Sequence, residues 1–173
     1  MRRTLALDQA SRVTGWAIYD NKNLVTSGHF SIAANKTMQQ RLISFVNHLD
    51  DLVNKYNVEK IYYEGIQYQN NIETYKKLAY IQAMIIYNTT LHNLPILELT
   101  PSHWRSLIKD KHGIKFGRTR TEQKQKAQEF VKDYFNVEAT EDEADAICIG
   151  KYFVSLLKKN KSTWGEDIWL HLN

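Results

Sequence analysis

Residues 4–19 read TLALDQASRVTGWAIY, and this stretch indicates the fold. The apolar run at 4–7 predicts a short buried strand that ends at Asp8. Turn-forming residues follow, and GWAIY at 15–19 predicts a second strand. Two strands joined by so short a connection must lie antiparallel. The chain therefore opens with a pair of strands that carries a carboxylate at one end.

The same type of pattern continues along the chain. Asp and Asn in DNKN at 20–23 tolerate the backbone angles of a tight turn, so a third strand is expected at 24–32. Apolar residues spaced three and four apart predict a helix at 38–56. A strand at 60–63 then ends in Glu64. The remaining predicted elements are a helix at 72–87, a strand at 95–99, and helices at 102–108, 121–135 and 141–157.

This order, β-β-β-α-β-α-β-α-α-α, predicts an α/β fold. Its mixed five-stranded sheet combines an antiparallel meander with parallel αβ units and is flanked by helices on both faces. We expect one domain over residues 1–158. Residues 159–173, which include Trp164 and Trp169, are expected to form a C-terminal tail whose role the sequence does not show.

The composition of the chain limits the kinds of molecule that the protein is expected to bind. The 173 residues carry a formal net charge of +4 and a pI near 9.0, which permits a polyanionic partner. The single cysteine, Cys148, excludes an internal disulfide and fits a reducing compartment. No stretch approaches the roughly 18 apolar residues of a membrane span. The sequence has no Gly-rich phosphate loop, so we expect no nucleotide cofactor. We expect a cytoplasmic protein without a membrane partner.

Four carboxylates form the candidate catalytic and metal-binding set. Asp8 and Glu64 end two strands, and Asp142 and Asp145 lie three apart on one face of the last helix. Oxygen-only ligands suit Mg²⁺, with Mn²⁺ as a substitute, and one or two ions would relieve the repulsion between the acids. Such ions activate water and stabilise the leaving oxygen of a phosphodiester.

Each acid also has a simpler interpretation. Asp8 suits the start of a turn, and Glu64 suits a solvated strand end. Thr140 and Glu143 have the spacing of a capping box, so the acids after Thr140 also suit a helix N-terminus. Asp145 resists this interpretation because it lies among apolar residues, where an unpaired carboxylate is costly.

The acids and their neighbours together resemble the RuvC-type Holliday-junction resolvases of the RNase H-like superfamily. The resemblance rests on Asp8, the TGWA stretch at 14–17, Glu64, and the Asp142-x-x-Asp145-Ala146 pattern, and it covers residues 4 to about 157. It implies an RNase H-like fold, a homodimer, Mg²⁺ dependence and paired nicks in four-way junctions. Departures after Glu64 and in the basic segment indicate a phage or mobile-element member, which would act in the cytoplasm of a bacterial host cell.

The DNA-binding residues are predicted from charge and from the resemblance. Basic residues concentrate between 109 and 132, where phosphates of a DNA backbone are the natural ligands. The resemblance implies that Arg105 and Lys124 approach the cleaved strand, and that Tyr68 takes the place of an aromatic wedge. The complete predicted set is Arg105, Lys109, Lys111, Lys115, Arg118, Arg120, Lys124 and Tyr68.

The helix at 72–87 is the candidate dimer interface. It is apolar on more than one face, so one face remains after the other has covered the sheet. The residues assigned to the interface are Leu78, Ile81, Met84 and Ile85, and Tyr80 and Tyr87 extend the apolar surface.

Two other functions are compatible with the same sequence. One is an RNase H-like nuclease that acts on RNA–DNA hybrids or on structured RNA, because the four acids would serve it equally well. The other is a non-catalytic module that binds junctions. The substrate class we favour is branched DNA, namely Holliday junctions and forks.

Overall fold

The computed structural model describes residues 3–68 and 71–156, so the expected tail at 159–173 lies outside the described residues. The predicted element order is confirmed. The strands are β1 (Arg3–Asp8), β2 (Val13–Asp20), β3 (Asn23–Ser31), β4 (Val58–Glu64) and β5 (Ile96–Leu99). The helices are α1 (Met38–Tyr56), α2 (Ile72–Leu91), α3 (Pro101–His112), α4 (Arg120–Phe135) and α5 (Glu141–Leu156).

The five strands form one mixed sheet in the order β3-β2-β1-β4-β5. β1 and β3 are each antiparallel to β2, and β4 is parallel to both β1 and β5. This arrangement confirms the predicted meander followed by parallel αβ units. Leu7 pairs with Tyr63 of β4, so the residues that follow them, Asp8 and Glu64, lie side by side at the same edge of the sheet.

Helices cover both faces of the sheet, as predicted. Because side chains alternate along a strand, Leu5 and Leu7 of β1 point to one face and Ala6 points to the other. Leu5 and Leu7 pack into a core with α1 and α2, while Ala6 packs into a second core with α3, α4 and α5. Asp8 has the parity of Ala6 and therefore belongs to the face that α5 covers.

Several element boundaries differ from the prediction. β4 begins at Val58, immediately after Asn57, whose left-handed backbone (φ 50°) ends α1. α2 continues to Leu91 because neither of its two late threonines stops the helix. α3 continues through polar residues to His112 and ends at Gly113, which has φ 71°. Glycine adopts that conformation at little cost, so Gly113 marks the end of α3 better than apolar periodicity does.

Within the described residues, no helix is both long enough and apolar enough to cross a membrane.

Candidate active site

Asp8 and Glu64 reach the site from adjacent parallel strands. Both residues are the last of their strands, and each lies two residues beyond an apolar side chain, Ala6 or Tyr62, that packs under α5. Strand parity therefore points both carboxylates towards α5. This agrees with the prediction that each of the two acids ends a strand.

Gly15 allows α5 to bring its own acids to this edge. Gly15 pairs with Asp8 across the β1–β2 ladder. A Cβ atom on Gly15 would lie 1.9 Å from the backbone oxygen of Asp142, a distance that no side chain tolerates. The close approach of helix and strand thus requires glycine, which gives a physical reason for the Thr-Gly of the TGWA stretch.

A second glycine holds α5 against the sheet farther along. A Cβ on Gly150 would lie 2.3 Å from the ring of Tyr19, so α5 also touches β2 at this point. The hydroxyl of Tyr19 donates a 2.7 Å hydrogen bond to the backbone oxygen of Ile147. These contacts fix the position of α5 relative to β1 and β2.

The predicted capping box at the start of α5 is present. The backbone N–H of Thr140 donates to Glu143 Oε2 at 3.4 Å, and the N–H of Glu143 donates to Thr140 Oγ1 at 3.4 Å. Ser27 on β3 also donates to Glu143 Oε1 at 2.7 Å. Glu143 is thus used for capping, which leaves Asp142 and Asp145 for the site.

Lys124 lies among three of the four acids. Its Nζ is 2.7 Å from Asp142 Oδ1, 3.3 Å from Asp145 Oδ2 and 3.8 Å from Asp8 Oδ2. The side chain of Lys124 is only 10% exposed and that of Asp145 only 7%. The sequence predicts Lys124 among the DNA-binding residues, but its ammonium is held inside the acid cluster and not on the outer basic surface.

The pKa values of the acids reflect their burial and mutual repulsion. Burial raises the pKa of Asp8 well above its usual range, and the charges of Asp145 and Glu64 raise it further. Burial likewise raises the pKa of Glu64 and of Asp145. Burial alone would lower the pKa of Lys124, but the charges of Asp145 and Asp8 outweigh it and raise that pKa. Lys124 is therefore a firmly charged counterion to a cluster of destabilised carboxylates.

Glu64 is held by a residue that the sequence analysis did not single out. The indole Nε1–H of Trp104, on α3, donates a 2.9 Å hydrogen bond to Glu64 Oε1. The next residue, Arg105, stacks its guanidinium over the Trp104 ring at 4.5 Å, and its charge acts on Glu64 and Asp145. No sequence pattern linked Trp104 to Glu64, which lies 40 residues earlier.

The four acids offer the type of donor atom that a divalent cation binds. All four acids offer oxygen, the donor atom that Mg²⁺ and Mn²⁺ prefer. The buried Oδ1 of Asp145 has no hydrogen-bond partner, so this oxygen is available to bind a ligand. In residues 3–68 and 71–156, however, no three His, Cys, Asp or Glu side chains are arranged to hold a metal ion. Lys124 occupies the position between the acids instead.

Comparison with known proteins decides the family. The family profile described as "Crossover junction endodeoxyribonuclease RuvC" matches residues 4–151, which is most of the chain. The chain belongs to the RuvC family. A RuvC from Brachyspira hyodysenteriae is 30% identical over 109 residues, covering 61% of this chain and 68% of that protein. A RuvC from Alkaliphilus oremlandii is 24% identical over 153 residues, covering 84% and 88%.

Solved structures show the same fold. Thermus thermophilus RuvC in complex with Holliday junction substrate superposes with a TM-score of 0.74 at 9% identity, covering 91% of this chain and 96% of that one. The yeast mitochondrial Holliday junction resolvase gives a TM-score of 0.60 at 16% identity, covering 91% and 81%. At such identities the likeness concerns the fold, and it confirms the RNase H-like architecture predicted for this RuvC-family chain.

The predicted DNA-binding residues fall into three locations. One group is exposed on the end of α3, the following loop and the start of α4. This group, the α3–α4 basic segment, consists of Lys109, Lys111, Lys115, Arg118 and Arg120. Arg105 and Lys124 lie at the acids, and the Nε of Arg105 is buried without a hydrogen-bond partner. Tyr68 is 60% exposed in the segment after Glu64 and packs edge-on against Tyr75 of α2.

The structure corrects part of the predicted dimer interface. Ile81 and Ile85 are fully buried in the chain's own core, beside α1 and β4, so they cannot contact a partner. Met84 packs against the same core and, like Leu78, is partly buried. Both faces of α2 are apolar, and the prediction chose the inner one. The exposed large apolar residues of α2 are Ile72, Tyr80, Ile86, Tyr87 and Leu91.

Proposed function

We propose that this RuvC-family endonuclease resolves Holliday junctions, and cleaves related branched DNA, by metal-dependent hydrolysis of phosphodiester bonds. One observation carries the proposal: Asp8, Asp142 and Asp145, from a strand and a helix, surround the same buried lysine, whose charge also acts on Glu64 of the neighbouring strand. The family description names a crossover junction endodeoxyribonuclease, and a structural relative is titled as a complex with Holliday junction substrate. Both support branched DNA as the substrate.

The four acids are proposed to hold Mg²⁺, or Mn²⁺ in its place, as one or two ions. When bound, the cation supplies Lewis-acid activation of the attacking water and of the scissile phosphate. Asp145 contributes an oxygen that is buried and without a hydrogen-bond partner, and Glu64 contributes an oriented carboxylate. No covalent enzyme intermediate is required.

The predicted DNA-binding residues are proposed to contact different parts of the DNA. The exposed α3–α4 basic segment would bind the DNA backbone, because its side chains are free to reach phosphates. Arg105 and Lys124, which lie at the acids, would contact the strand that is cleaved. The ring of Tyr68, four residues after Glu64, is exposed and would stack on a base at the branch.

A homodimer fits the symmetry of the substrate. Resolution of a four-way junction needs two nicks in opposing strands, and a two-fold dimer supplies two sites related by one axis. The outer face of α2 supports such a dimer. Ile72, Tyr80, Tyr87 and Leu91 lie on one side of the helix, opposite the buried Ile81 and Ile85, and each is at least half exposed. We place the interface on this face.

The decisive experiment compares substrates under one condition. A labelled four-way junction, a fork, a linear duplex and an RNA–DNA hybrid are incubated with the protein in Mg²⁺. We expect cleavage of the branched DNAs, with paired nicks in the junction, and little cleavage of linear duplex or hybrid. Asp8→Asn should bind the junction but not cut it. Preferential cleavage of the hybrid would favour the RNase H-like alternative, and binding without cleavage at any Mg²⁺ concentration would favour a non-catalytic module.

A further inference from the structure

Trp104 is a buried indole whose one polar group is directed at an active-site carboxylate. The side chain is fully buried, and its Nε1–H donates to Glu64 Oε1 at 2.9 Å. A buried indole N–H needs an acceptor, and here the acceptor is a carboxylate oxygen, which gives a stronger bond than a neutral partner. The bond joins α3 to the end of β4.

The indole ring is fixed in its orientation. Phe116 packs edge-on against it, with ring centroids 5.4 Å apart and an interplanar angle of 89°. The guanidinium of Arg105 lies over the ring, 4.5 Å from its centroid. With these two contacts in place the ring cannot turn, so its N–H bond points along one direction.

Glu64 is thus anchored twice. The side-chain amide of Gln9 donates to the backbone oxygen of Glu64, and Trp104 donates to its side chain. The hydrogen bond from Trp104 engages Oε1, so the two carboxylate oxygens are no longer equivalent: Oε2 is left for another partner. Filling the space beside Glu64 would need no indole, because phenylalanine supplies a ring without an N–H that demands an acceptor.

We propose that Trp104 is a positioning residue: it orients Glu64 so that one carboxylate oxygen is presented to the divalent cation. This inference rests on the metal dependence proposed above. Outer partners of metal ligands commonly contribute about 10- to 100-fold in metal affinity. Trp104→Phe should therefore weaken Mn²⁺ binding by a factor of that size, since phenylalanine keeps an aromatic ring at this position but has no N–H to donate.

The first test measures Mn²⁺ binding by isothermal titration calorimetry, without DNA. Wild type is compared with Trp104→Phe and with a matched control, Trp16→Phe, which removes a partly buried indole on β2 that packs in the other core, against Tyr56. We expect weaker binding for Trp104→Phe alone. Equal affinity in wild type and Trp104→Phe would overturn the role of Trp104. A wild type that binds no Mn²⁺ would instead overturn the metal site itself.

The second test detects the hydrogen bond directly and does not depend on the folding of Trp104→Phe. The chain has four tryptophans, so a ¹⁵N-tryptophan-labelled sample gives at most four indole N–H signals. One signal, identified by its contacts to the ring of Phe116, should be protected from solvent exchange. It should shift in Glu64→Ala and on addition of Mg²⁺, which is diamagnetic, while the signal of Trp16 stays in place. An indole signal of Trp104 that is insensitive to both changes would overturn the proposal.

Discussion

Lys124 Nζ lies 2.7 Å from Asp142 Oδ1, so the central cation of the acid cluster is a side chain of the protein. Asp145 and Asp8 are the next nearest carboxylates, at 3.3 and 3.8 Å. A divalent cation drawn to the same oxygens would compete with this ammonium. Lys124 therefore stabilises the acids and would at the same time oppose the binding of a metal ion.

Lys124→Gln should separate these two effects. In EDTA the variant should lose about 3 kcal/mol of folding stability, because the buried Asp145 and the partly buried Asp8 and Asp142 lose their counterion. Added Mn²⁺ should raise its melting temperature more than that of wild type, since no ammonium competes. Differential scanning fluorimetry across an Mn²⁺ series measures both quantities.

Lys126→Gln is the control for this experiment. Lys126 is on the same helix but pairs with Glu129 within one turn, and both side chains are more than 40% exposed. Its loss should cost under about 1 kcal/mol. If Mn²⁺ stabilises Lys124→Gln and wild type equally, competition between lysine and metal is excluded.

Gly15→Ala should damage the site through the backbone of α5. The new Cβ would meet the backbone oxygen of Asp142 at 1.9 Å, so the start of α5 must move away from β2. We expect about 1–3 kcal/mol of destabilisation from overpacking. Because displacing catalytic groups by about 1 Å can cost roughly 100-fold in rate, cleavage should fall far more than stability suggests.

Gly113→Ala offers a matched comparison. Gly113 has φ 71°, and no atom lies within 4 Å of a Cβ built there. Alanine there should cost about 1–2 kcal/mol through the left-handed backbone alone. Its cleavage rate should remain near that of wild type. Similar losses of activity in the two variants would show that Gly15 has no special relation to the acids.

The stability of the protein in EDTA should depend on pH through Asp8. Because the pKa of Asp8 is raised in the folded state above its ordinary value of 3.8, the folded protein holds this proton more tightly than the unfolded chain does. The stabilisation is complete below about pH 4 and is lost as the pH rises through the folded-state pKa. Asp8→Asn cannot titrate, so its stability relative to wild type should increase with pH over that interval. Urea unfolding of both proteins between pH 4 and 8 measures this difference, and a constant difference would contradict the raised pKa.

Affinity for DNA should fall steeply with salt. Each phosphate that the protein binds releases counterions and contributes a slope of about −0.9 in log affinity against log salt. Replacing Lys111, Lys115, Arg118 and Arg120 with glutamine should flatten the slope by about 0.9 for each phosphate that is no longer bound. Fluorescence anisotropy with a labelled junction measures it, using Asp8→Asn protein to prevent cleavage. As a control, replacing Lys22, Lys36, Lys55 and Lys132 with glutamine should leave the slope unchanged. If the control variant flattens the slope and the first variant does not, the DNA lies on another surface of the protein.

The dimer interface should respond to a charge on the outer face of α2. Tyr87 is 54% exposed, and Tyr87→Asp should convert a wild-type dimer to monomer at micromolar concentration in sedimentation velocity. Ile43→Asp, at a 63% exposed apolar residue of α1, should remain dimeric. A wild-type monomer that still makes coupled paired nicks would refute the dimer, whereas a dimer that Tyr87→Asp leaves intact would refute only its location.

Local patterns in the sequence determined the sheet and one part of the acid cluster. Alternation along β1 and β4 defines the face of each side chain, and each acid was expected at the end of its strand. That Asp8 and Glu64 lie side by side depends on the sheet order, which places β4 next to β1. The capping box at Thr140 and Glu143 was equally local, because its partners are three residues apart. Interactions between near neighbours, or along a single strand, can be predicted from spacing alone.

Tertiary structure decided the rest, because it depends on which surfaces of distant elements meet. The burial of Lys124 among the acids requires α4 to pack beside α5, and the bond from Trp104 to Glu64 requires α3 to reach β4. Nothing in the periodicity of α4 or α3 specifies either contact. In α2, both faces are apolar, and only packing against α1 and the sheet buried Ile81 and Ile85 while leaving Tyr87 exposed. The hydrophobic effect is non-directional, so it favours burial of an apolar face without selecting between two of them.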